Sequence, residues 1–142
     1  MIADPPALSM SASLEHGAHI RTVVLGSRAP RRAAAWYRRA LGLSGPDEVL
    51  RAGDVELRIT SRADVEPTAV EPIRTVLNFV VHDIREIEAR LVAMEAIWVR
   101  ELESTPWGII GTVVDPDGNL VQIIEPARGT LPWSAKGREE RS

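Results

Sequence analysis

Cysteine is missing from all 142 residues of this chain. Disulfides, thiolate metal centres and a cysteine nucleophile are therefore excluded. A basic surplus is missing too: 17 Lys and Arg stand against 20 Asp and Glu. The arginines are interleaved with acids, so there is no electrostatic footprint for nucleic acid. No apolar run approaches the roughly 20 residues of a membrane-spanning helix. The opening MIADPPALSMSASLEHG has neither the basic start nor the continuous apolar stretch of a signal peptide. These absences lead to the expectation of a cytoplasmic protein without nucleic-acid or membrane partners. Aromatic residues are few, yet four of the six are Trp. Trp36 falls in a helical pattern, whereas Trp98, Trp107 and Trp133 fall near element ends or loops, where an indole suits a ligand wall or an interface.

The apolar and charged fractions, 44% and 26%, are those of an ordinary globular domain. Residues 1–17 are rich in Pro, Ser and Ala and read as a flexible arm, and residues 127–142 as a tail. Residues 18–126 read as one domain. His19–Leu25 is β-branched and reads as a strand. Pro30–Leu41 carries Ala33, Trp36, Tyr37, Ala40 and Leu41 at helical spacing and stops at Gly42. Glu48–Ala52 and Val55–Thr60 form a hairpin around Gly53. Residues 61–74, with two prolines and three acids up to Pro72, form a linker. Thr75–Val81 is a strand, and Asp83 with Glu86 three residues on forms a capping-box pattern. The helix that follows bears Ile84, Ile87, Leu91 and Met94 on one face. Trp98–Leu102 reads as a short strand and 103–108 as a loop that Gly108 and Gly111 allow to move. Ile109–Val114, the turn Asp115-Pro116-Asp117-Gly118-Asn119 and Leu120–Glu125 make a closing hairpin. The order strand–helix–strands thus occurs twice, over 19–60 and 75–126, which is an α+β class with two modules.

Three motifs carry a family resemblance. Trp36-Tyr37 followed by Leu41-Gly42, Asn78-Phe79-Val80-Val81 leading to Asp83-Ile84, and the Asp115–Asn119 turn between Gly111 and Glu125 resemble the glyoxalase, bleomycin-resistance and extradiol-dioxygenase superfamily, also known as the vicinal oxygen chelate fold. The resemblance implies paired βαβββ modules, a cup-shaped mixed sheet and a homodimer. In the superfamily's metalloenzymes a divalent ion sits in the cup. The ligand positions that the resemblance implies fall here on Thr22, Glu56, Val76 and Gln122. Only Glu56 is a strong donor, and any ion would rest on Glu56 and Gln122, so no resident metal or other cofactor is expected. His19 points to the other face by parity, His82 lies at a strand-to-helix corner and His16 in the arm.

Strand alternation gives the cup face independently of ligand assignment: Thr22, Val24, Glu56, Arg58, Val76, Asn78, Leu120, Gln122 and Ile124. The opposite faces are almost purely apolar. A mostly apolar face with a few polar groups is the composition of a small-molecule pocket, with Trp107 as a possible wall. The first functional expectation is a metal-independent binder of a small organic molecule in the cup, with Thr22, Val24, Glu56, Arg58, Val76, Asn78, Trp107 and Gln122 as the binding residues. The alternative is an enzyme of the same scaffold, a lyase, isomerase, cyclase or dioxygenase, with Glu56 as catalytic base or an atypical metal site. A third is a structural or regulatory protein without a ligand.

Overall fold

A computed structural model describes residues 17–129. The order of elements is β1 (Thr22–Ser27), α1 (Pro30–Leu41), β2 (Val49–Ala52), β3 (Val55–Ser61), a 3-10 turn (Pro72–Arg74), β4 (Val76–Val80), α2 (Ile84–Ala93), β5 (Ile97–Thr105), β6 (Gly108–Val114) and β7 (Leu120–Pro126). The α+β class and the two modules are present. Their strands form two mixed sheets, one of order β1-β3-β2 and one of order β4-β7-β6-β5.

The second module is a complete βαβββ unit. The first has three strands, and the strand expected beside β2 shrinks to a single bridge between Ser44 and Arg51. The reason is local. Gly45 and Asp47 both sit at positive φ, 138° and 52°, and Pro46 between them has no N–H to give a ladder. Two other boundaries also differ. β1 starts at Thr22 because its parallel register with β3 opens at the pair Thr22 and Glu56. β5 runs through Thr105, well beyond Leu102, because β6 supplies partners up to the pair Thr105 and Gly108. The loop before the closing hairpin is thereby reduced to Pro106 and Trp107. Gly108 and Gly111 do not loosen it, since both lie buried within β6. A Cβ on Gly111 would come within 2.5 Å of the Leu102 side chain, so this glycine admits close packing of β5.

Both helices cover the apolar sides of their sheets, and these sides merge into one core. Ala33, Tyr37 and Ala40 of α1, Ile84, Ile87 and Leu91 of α2, Leu50, Leu57 and Ile59 of the first sheet, and Val113, Val121 and Ile123 of the second belong to a single cluster. α1 begins with Pro30 at its first turn, has Arg38 and Arg39 in its last, and ends on Gly42 in the left-handed conformation, in keeping with the helix dipole and the glycine cap. At α2, Asp83 accepts from the Glu86 N–H at 3.3 Å, while the Glu86 side chain turns instead to Arg90 at 2.6 Å. A second N–H of this first turn, that of Ile84, donates to Glu125 of β7 at 2.9 Å. A carboxylate from a distant strand thus completes the cap. Among the described residues, no helix is long and apolar enough to cross a membrane.

Candidate functional site

Alternation along the strands leaves each sheet with an outward face, away from the helices. On the first sheet this face carries the row Thr22, Glu56 and Arg51 and the row Val24, Arg58 and Val49, which are cross-strand neighbours. Arg58 donates to Glu56 Oε1 through Nε at 3.1 Å and Nη2 at 2.6 Å. Both side chains are partly buried, at 22% and 18% exposure. The guanidinium thereby occupies one of the two carboxylate oxygens, both bonds going to Oε1.

On the second sheet, the outward face is ordered in three rows. Val76, Leu120, Val114 and Ile97 make an apolar row, and Val80, Ile124 and Ile110 make another that ends at Glu103. Between them Asn78, Gln122, Thr112 and Arg100 cross all four strands. Neither Thr112 nor Arg100 belongs to the set expected from the sequence. The signal was weak, because the register of β5 shifts on both sides of Arg100, and a bulge defeats counting by parity.

Of the expected ligand positions, only Thr22 and Glu56 are direct cross-strand neighbours. Val76 pairs with Leu120, while Gln122 pairs with Asn78, two residues further along the same face. One carboxylate, one amide, one hydroxyl and one valine do not fit a tightly held divalent ion. Among the described residues, no three His, Cys, Asp or Glu are grouped so as to hold a metal. His19 and His82 are exposed, while His16 and Trp133 lie outside the described residues.

Trp107 is 66% exposed, yet its backbone is fixed. Its N–H donates to Thr105 Oγ1 at 3.2 Å, and its carbonyl accepts from Ala127 N–H at 2.8 Å. Trp36 is half-buried and meets Tyr37 edge to face, with ring centroids 4.9 Å apart. Trp98 packs against the core.

A concavity of about 440 Å³ lies where the two modules meet. Its wall comes from Ile20 and Val23, Leu41 at the end of α1 and Leu43 just after it, the β2–β3 turn, and Leu77 to Val81 along and just after β4. Val23, Leu57, Leu77, Phe79 and Val81 of this wall belong to the helix side of their sheets, and Asn78 and Val80 to the outward side. Of the expected binding residues, only Asn78 reaches it.

The modules are tied together by the Asp115–Asn119 turn. Tyr37 of α1 donates its hydroxyl to Asp115 Oδ2 at 2.6 Å. Asp115, 4% exposed, also accepts from the N–H groups of Asp117 and Asn119 and from the Asn119 amide. Four donors thus satisfy a buried carboxylate without a cation. Arg32 bonds Asp117 at 3.2 Å from outside.

The family profile described as "Glyoxalase-like domain" matches residues 22–124. Three solved structures have the same fold. TnmS3, an antibiotic binding protein from Streptomyces sp. CB03234, is 20% identical over 78% of this chain and 97% of its own, with a TM-score of 0.60. TioX from Micromonospora sp. ML1 is 22% identical over 78% and 100%, with a TM-score of 0.59. The oxidase ChaP-H1 is 21% identical over 80% and 99%, with a TM-score of 0.64. The search of curated proteins gave no match.

Proposed function

The chain belongs to the glyoxalase-like domain family, and from that membership we propose that it is a binding protein for a small organic molecule, seated on the outward sheet faces and working without a resident metal. The observation that carries this reading is the patterned face of the second sheet, a row of amide, amide, hydroxyl and guanidinium groups between two apolar rows. Such a surface offers area to a flat, mostly apolar molecule and fixes its orientation through a few polar groups. The fold shared with TnmS3, an antibiotic binding protein, supports the same class of activity. The faces are open at their edge strands in a single chain, with Val24 at 49% and Val80 at 47% exposure, while Thr112 and Ile124 further in are buried. A second copy covering them would enclose the ligand, so a homodimer is part of the proposal.

The test is titration of the purified protein with a panel of aromatic and polycyclic compounds, followed by calorimetry. Saturable binding is expected for at least one, weakened about tenfold or more in Gln122→Ala, in line with one lost buried hydrogen bond plus its desolvated partner. Metal content measured after incubation with nickel, zinc, manganese and ferrous iron is expected to stay well below one ion per chain. A stoichiometric ion, or full-strength binding in Gln122→Ala and Asn78→Ala alike, would overturn the proposal.

A second reading rests on Glu56, a partly buried carboxylate beside Thr22, with the oxidase ChaP-H1 on the same fold. In that reading Glu56 is a general base on a substrate bound at this face. Glu56→Gln would then abolish turnover and spare binding. Equal loss of both sinks it.

A further inference from the structure

We propose that the concavity between the modules is a separate ligand site, which takes one neutral and largely apolar small molecule. Its volume, about 440 Å³, is in the range of small-molecule sites. None of the residues that line it is ionisable, and Asn78 is the one with a polar side chain. A charged ligand would lose its hydration there and gain no counter-charge. A neutral one needs only apolar contact and a single hydrogen-bonding group facing the Asn78 amide.

The burial pattern points to the same place. Leu57, Ile59, Val121 and Ile123 face the helices and are buried. Val23, Leu77, Phe79 and Val81 lie on the same side of their sheets but are only half-buried. The difference is topological: β1 and β4 are edge strands with a partner on one side only. Where these two edges meet, core-type side chains remain uncovered, backed by the contact of Phe79 with Tyr37 at a centroid distance of 6.2 Å. Ile20 and Val80 add exposed apolar surface to the same wall. The outward faces assigned above lie on the other side of the sheets, and the two sites share only Asn78 and Val80 of the edge strand β4, so substitutions at Gln122 and Ala52, each belonging to one site alone, tell them apart.

The neutral fluorophore N-phenyl-1-naphthylamine is a suitable probe for the full chain. Saturable enhancement with one probe per chain is expected, together with shifts confined to the methyl resonances of Val23, Leu41, Leu57, Leu77 and Val81. Ala52→Trp, which projects from β2 into the concavity, is expected to weaken binding tenfold or more, while Gln122→Ala on the outward face leaves it unchanged. If Ala52→Trp fails to fold, the methyl map decides alone. Methyl shifts at Leu120 and Ile124 in place of these, or equal weakening by Gln122→Ala, would move the probe to the outward face and overturn the proposal. Absence of saturable binding would overturn it too, as would binding seen only in a chain that starts at Gly17, since residues 1–16 would then be the occupant.

Discussion

Tyr37 shows how one side chain can set the conditions under which a fold survives. Burial raises the pKa of its phenol far above the usual value of about 10, and the neighbouring Asp115 carboxylate raises it further. The folded state therefore keeps a proton that the unfolded chain gives up near pH 10. The contribution to stability is complete below that pH and declines as pH rises above it. In urea unfolding, Tyr37→Phe is expected to cost about 1–2 kcal/mol at pH 8 through the lost hydrogen bond. The same variant is expected to lack the alkaline loss of stability above pH 10. As Tyr37 is the one tyrosine in the sequence, phenolate absorbance follows its titration without interference. Tyr37 was legible as a helix-face residue and Asp115 as turn chemistry. Their bond was not, because a contact between residues 78 positions apart leaves no mark in local periodicity.

At the level of elements, prediction from the sequence worked best where a segment supports its own structure. α1 matched its expected bounds, because its apolar spacing, Pro30 and Gly42 all agree. β5 did not. Arg, Glu, Ser and Thr fill its second half, and its strand conformation is owed to β6, with irregular register around Arg100. As an edge strand it holds one partner, whereas β6 and β7 are paired on both sides. Amide exchange should reflect this. Protection is expected to be greatest in β6 and β7 and lowest in β2 and β5 among the strands. Protection of β5 equal to that of β7 would mean that another chain covers its edge.

For the molecule as a whole, the two modules were legible as a repeated order of elements, and the fold class with them. The concavity between them was not, since it arises from how two edge strands approach across the linker rather than from any one strand. The shared core has a thermodynamic consequence. Calorimetric unfolding is expected to be a single transition, with the calorimetric and van't Hoff enthalpies equal, and fragments 17–61 and 75–129 are each expected to fail to fold alone. Two resolved transitions would contradict the common core. The Tyr37–Asp115 bond carries a further consequence for recombining the two halves. One half supplies the donor and the other the acceptor, so neither half retains the complete pair that an exchange between homologues would need. Chimaeras that graft the second half of a relative onto the first half of this chain should lose about 1–3 kcal/mol of stability where the graft brings no acceptor to meet the Tyr37 hydroxyl. The joint between the halves is therefore a property of the pair, which neither half carries alone.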